Sequence, residues 1–113
     1  MRKHCKDSKV NKVINCMLER LIEQYNPIKI VLFGSHALGN SDADSDIDLL
    51  IVKDTQDRFI DRWCTVGSIL AGTHTSIPVD TLVLTPQEVE KRLSMGDQFI
   101  AEILEKGKVL YAA

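Results

Sequence analysis

The sequence has no run of about 18 consecutive apolar residues, the length a membrane-spanning helix requires. Its opening MRKHCKDSKV lacks the apolar region of a signal peptide, so the expectation is a cytoplasmic protein without a membrane role. There is no surplus of basic charge: 14 lysines and arginines face 16 aspartates and glutamates, for a formal charge of −2 and a pI near 5.9. A chain with no global positive field is not expected to bind nucleic acid directly. Cysteine is scarce, and Cys5, Cys16 and Cys64 are odd in number and far apart. They match neither a disulfide framework nor a close-spaced zinc pattern, which leaves reduced thiols. Repeats, low-complexity segments and linkers are also missing, and 113 residues fit one domain over 1–113.

What is present is a clear alternation of periodicities. Val10, Val13, Ile14, Met17, Leu18, Leu21, Ile22 and Tyr25 trace one face of an amphipathic helix within residues 1–26, with Pro27 just beyond its end. The β-branched run IKIVLF, Ile28 to Phe33, reads as a buried strand stopped by Gly34, and DIDLLIV, Asp46 to Val52, as a second. Between Gln56 and Leu70 the positions Phe59, Ile60, Trp63, Val66, Gly67 and Leu70 fit a helical face. IPVDTLVLT, Ile77 to Thr85, alternates loosely as a third strand. TPQE, Thr85 to Glu88, then supplies an N-cap, a proline at the first helical position and a capping-box glutamate. The helical region that follows breaks near Gly96 and ends at Gly107, before a short strand KVLYA. This order predicts an α+β fold, a small mixed β-sheet covered by helices, with the relative direction of the first two strands left open.

Acids appear where a strand begins to be buried. Side chains alternate along a strand, so Asp46 and Asp48 share a face, roughly 7 Å apart, while Ile47 and Leu49 face the core. Two carboxylates on one rigid element repel each other, and burial raises the pKa of at least one. A hard divalent cation removes that conflict. Mg²⁺ is commonly held by one or two carboxylates plus substrate phosphates. Asp80, inside the apolar run PVDTLVL, would bring a third carboxylate if its strand neighbours the second. Asp42 and Asp44 read as loop residues. Gly34-Ser35 directly after the first strand lets the backbone turn tightly and offers N–H groups and a hydroxyl to a phosphate.

Three near-matches fail. GSHALGNS copies a P-loop except that Asn40 replaces its lysine, and it runs into the acidic SDADSD. Read as a calcium loop from Asp44, the sequence places Leu49 where the glycine belongs and Thr55 where the glutamate belongs. His36 has no second histidine or cysteine nearby to make a zinc site.

Phe33-Gly34-Ser35, then Asp46-Ile47-Asp48-Leu49, a later strand aspartate at Asp80, and the tail GKVLY together resemble the DNA polymerase beta-like nucleotidyltransferase superfamily, from Lys29 onward. The resemblance implies the polymerase beta-like fold, with the sheet and helices of 28–111 carrying the active site. It implies that Gly34 and Ser35 hold the phosphates of ATP or another nucleoside triphosphate. Asp46, Asp48 and Asp80 would bind Mg²⁺, as two ions, and Asp80 would assist deprotonation of the acceptor hydroxyl. One departure is Leu38, where many small relatives have arginine; Lys53, Arg58 and Arg62 are candidate substitutes, although each also reads as an ordinary solvated charge. The chain lacks the added substrate domains of larger relatives and is similar to the minimal (MNT) group. That group implies an antitoxin transferring AMP to a tyrosine of a helical HEPN-type partner. Transfer to a small hydroxylated molecule, and an inactive module that neutralises its partner by covering it, are the alternatives. A homo-oligomer stays open.

Overall fold

The computed structural model describes residues 5–39, 45–73 and 77–113, and side chains from residue 9 onward. Asp42 and Asp44, expected in a loop, lie outside the described residues, as does the Cys5 side chain; Cys16 and Cys64 are free thiols. The elements are α1 (Cys5–Gln24), β1 (Lys29–Phe33), α2 (Ser35–Leu38), β2 (Ile47–Val52), α3 (Phe59–Leu70), β3 (Val79–Leu84), α4 (Pro86–Ser94), α5 (Gln98–Lys106) and β4 (Lys108–Ala112). The four strands form one mixed sheet in the order β3-β2-β1-β4. β1 runs antiparallel to β2 and β4, and β2 runs parallel to β3. The direction left open by the sequence is thereby settled. The α+β expectation holds, with one turn of helix, α2, that the sequence reading did not contain. Among the described residues no helix is long and apolar enough to cross a membrane.

Alternation along the central strands divides the apolar residues between two faces. Ile30, Leu32, Ile47, Leu49 and Ile51 join Met17 and Leu21 of α1 and Val66 and Leu70 of α3 in one core. Val31, Leu50 and Val52 meet Leu84, Ile100 and Ile103 in a second, under α5. β2 is therefore buried on both sides, as its near-continuous apolar run requires. Each fully buried leucine or isoleucine here contributes about 1.5–3 kcal/mol of transfer free energy.

The α3 face differs from the one the periodicity suggested. Arg62, Val66 and Leu70 are buried, whereas Phe59, Ile60 and Trp63 are 49%, 52% and 54% exposed. The stripe is rotated onto the 62-66-70 row because Arg62 is held inside. Its guanidinium donates to Glu88 through Nη1 to Oε1 at 2.7 Å and Nη2 to Oε2 at 3.1 Å, and Nε donates to the Asp57 carbonyl at 2.9 Å. Arg62 is thus no solvated charge. Glu88 also closes the expected capping box: Thr85 N donates to its Oε1 at 2.9 Å, and its own N–H donates to Thr85 Oγ1 at 3.1 Å. One carboxylate joins α3 to the start of α4. The break near Gly96 falls where expected, and Asp97 caps α5 by accepting from Ile100 N.

The Arg62 hydrogen bonds hold the Glu88 carboxyl below the usual carboxylate range. A lowered acid stabilises the fold above its unfolded pKa, and that stability is lost as pH falls through the folded value. Glu88→Gln keeps the cap's hydrogen-bonding capacity but leaves the buried cation without its counter-charge. The expected loss, discounted for the partial exposure of Glu88, is about 2 kcal/mol at pH 7. Urea unfolding of both proteins at pH 7 and pH 3 should show that gap shrinking in acid; an unchanged gap would contradict the ion pair's role.

Candidate active site

The site is a consequence of strand register. β1 pairs Phe33 with Asp48, and β2 pairs Asp48 with Asp80, so the three residues lie in a row across the sheet. Parallel neighbours sit about 4.8 Å apart, so Asp48 and Asp80 are adjacent on this face. The row shares a face with Leu50 and Val52 of β2 and Leu82 and Leu84 of β3, the face that α5 covers only in part. Ile47 and Leu49 point to the opposite core, as the alternation predicts. Asp46 precedes β2 and is exposed. It acts on Asp48 through charge. Among the described residues no three of His, Cys, Asp or Glu converge tightly enough to hold a metal ion on their own. Two of the three expected carboxylates are brought face to face, with the third at the strand mouth.

The Asp48 carboxyl is pushed above its ordinary value, first by burial and then by the charges of Asp80 and Asp46; the nearby His36 works against the shift. His36 Nε2 donates to the Ser45 carbonyl at 3.0 Å, so this histidine clasps α2 to the approach to β2.

Gly34 turns the chain out of β1 with φ 77° and ψ −155°, a region only glycine occupies readily. A Cβ at this position would collide with the Asp48 carboxylate. The backbone of the Gly-Ser turn is therefore pressed directly against the acid. α2 begins at Ser35, with Ala37 and Leu38 N–H groups bonded to the Gly34 carbonyl.

Beside Gly34 and Asp48 lies a cavity of about 300 Å³. Phe33, Leu38 and Phe99 wall it, the two phenylalanines meeting edge to face at 5.9 Å between centroids. Glu102 and Lys106 of α5 also line it. Sequence reasoning passed over these last two, although positions 99, 102, 103 and 106 recur at helical spacing and mark one face. The proposed substitutes for an arginine at position 38 are engaged elsewhere. Lys53 donates to the Tyr25 carbonyl at 2.6 Å beyond the far end of β2, Arg58 pairs with Asp61 at 2.9 Å, and Arg62 is sealed against Glu88.

A strand-to-turn backbone against in-register acids on a neighbouring strand, in a small mixed sheet, is the architecture of a nucleotidyltransferase. The chain belongs to the Polymerase beta nucleotidyltransferase family, whose family model matches residues 17–113. A protein of Methanocaldococcus jannaschii named "Putative protein adenylyltransferase" is 34% identical over 83 residues, 74% of this chain and 77% of that one. A "putative nucleotidyltransferase" from Sulfolobus solfataricus shares the fold at TM-score 0.59 and 24% identity, over 80% of this chain and 84% of that one. A chain of a crystal structure described as "the toxin-antitoxin with AMP-PNP" shares it at TM-score 0.61 and 23% identity, over 88% and 73%.

Two outcomes follow from this geometry. A raised carboxyl favours the fold below its unfolded pKa and disfavours it as pH rises through the folded value. Asp48→Asn should therefore raise the melting temperature of the metal-free protein at pH 7, a gain that vanishes in acid; a lower melting temperature at pH 7 would refute the repulsion. Gly34→Ala should cost about 1–3 kcal/mol from its φ and the displaced carboxylate. Chemical denaturation checks it, and relief by a second change, Asp48→Ala, would identify the collision as the cause.

Proposed function

We propose that this nucleotidyltransferase is a Mg²⁺-dependent enzyme that moves AMP from ATP to a hydroxyl on a protein, and that it acts as the antitoxin of a helical HEPN-type partner by modifying one of the partner's tyrosines. The observation that carries the reading is the register setting Asp48 opposite Asp80 beside the Gly34 turn. The adenylyltransferase name of the relative, 34% identical, supports the nucleotide and the protein acceptor. The fold likeness to the toxin–antitoxin chain is consistent with the partner.

In this reading Asp46, Asp48 and Asp80 would hold the metal, as two ions. An all-oxygen donor set with a strained like-charge pair suits Mg²⁺, because a hard cation relieves the repulsion that raises Asp48. When bound there, Mg²⁺ would neutralise charge on the phosphates and on the departing oxygen. Gly34 and Ser35 offer N–H and hydroxyl donors to the phosphates. Asp80 takes the proton from the acceptor hydroxyl. The acceptor oxygen bonds to the α-phosphorus in line while the bond to the bridging oxygen breaks, and pyrophosphate leaves. Catalysis of this kind is mainly positioning and electrostatics.

The test is incubation of the purified chain with α-phosphate-labelled ATP, Mg²⁺ and host lysate, alongside an Asp46→Asn, Asp48→Asn double mutant. Label in one protein band, lost by at least about a hundredfold in the mutant, is the expected result. Label confined to small molecules would redirect the acceptor, and no transfer from any of the four nucleotides would favour a module that acts by covering its partner.

A further inference from the structure

The candidate site carries carboxylates at Asp48, Asp80 and Asp46, and the adjoining cavity adds Glu102. An incoming triphosphate brings further negative charge to this pocket. Among the described residues Lys106 is the only lysine or arginine that lines the cavity.

We propose that Lys106 binds the phosphates of the nucleotide beside Gly34, and that Glu102 is the counter-ion it leaves when the nucleotide arrives. The assignment rests on the nucleotidyltransferase reading above and adds a residue to it. Three observations place Lys106. β1 and β4 pair Leu32 with Lys108, so the end of α5 enters β4 beside the end of β1, and Lys106 lines the same cavity as Gly34. Gly107 holds this approach close: a Cβ there would lie 2.6 Å from Val31 Cγ1 and 3.1 Å from the Leu32 carbonyl oxygen. Ile103, one turn earlier on the same stripe, is buried in the α5 core and anchors the helix end.

The resting partner is weakly held. Lys106 Nζ lies 3.3 Å from Glu102 Oε2, with the two side chains 57% and 63% exposed. An exposed pair at i,i+4 exchanges readily for a stronger anion. A phosphate offers that anion, since hydrogen bonds between ammonium and phosphate are charge-assisted. Leu38 gives the cavity an apolar wall, and Lys106 supplies positive charge from α5.

Calorimetric binding of ATP, AMP and inorganic tripolyphosphate, each with Mg²⁺, to the full chain tests this. Lys106→Met should weaken ATP and tripolyphosphate roughly tenfold to a hundredfold. AMP should change by less than about threefold, because most of the phosphate contact is absent from it. Lys106→Arg should restore most of the loss, and Glu102→Gln should bind ATP at least as tightly as wild type. The exposed positions make unchanged melting temperatures the expectation. Wild-type ATP affinity in Lys106→Met, or equal weakening of ATP and AMP, overturns the assignment and leaves the nucleotide site standing. Failure of the wild-type chain to bind ATP, and likewise GTP, CTP and UTP, overturns the site and the assignment together.

Discussion

Everything at the candidate site depends on two carboxylates being held together against their repulsion. Asp48 and Asp80 are register partners on parallel strands, and parallel pairing leaves no freedom to slide one past the other without turning a whole apolar row outward. The force that fixes them is burial of β2 on both faces: Ile47, Leu50 and Ile51 are wholly inaccessible. The apolar run that follows the acids is thus the reason the acids can stay where they are. α3 is the crossover that makes the pairing parallel, and the Arg62–Glu88 pair ties that crossover to the helix leaving β3.

The two faces of the sheet then serve different ends. One is closed by α1 and α3 over the larger core. The other is closed by α5 over Val31, Leu50, Val52 and Leu84, leaving the strand mouths of β2 and β3 open beside it. Two glycines set the limits of that opening. Gly34 lets the turn after β1 touch Asp48, and Gly107 lets the end of α5 touch β1. Each fills a place where a methyl group has no room, so at these two points backbone borders the cavity.

Much of this was legible in the sequence, for reasons that differ by residue. The strands were readable because Ile28–Phe33 and Ile47–Val52 are β-branched runs ended by turn residues, and the start of α4 because Thr85, Pro86 and Glu88 each have a local role. Asp48 and Asp80 stood out because a charge inside an apolar run needs an explanation. Their meeting did not follow from the sequence, since register is a property of strand pairs. The α3 face was misjudged because apolar periodicity counts Phe59, Ile60 and Trp63 inward and cannot count an arginine, whereas Arg62 is buried by a partner 26 positions away. Lys106 was silent for a similar reason: its neighbours at the cavity come from β1 and β2, and nothing local distinguishes it from other helix-end lysines. The one-turn α2 was missed because Ser35–Leu38 is too short to show a period.

The tryptophan offers a different view of the molecule. The chain has a single one, Trp63, half exposed on the outer side of α3. α3 belongs to the core on the opposite side of the sheet from α5 and the cavity. Intrinsic fluorescence should therefore be nearly blind to whatever fills the cavity, and a blue shift in emission will report instead on a surface that comes to cover α3. The protein carries a built-in optical probe that separates occupancy of the site from contact with a second macromolecule.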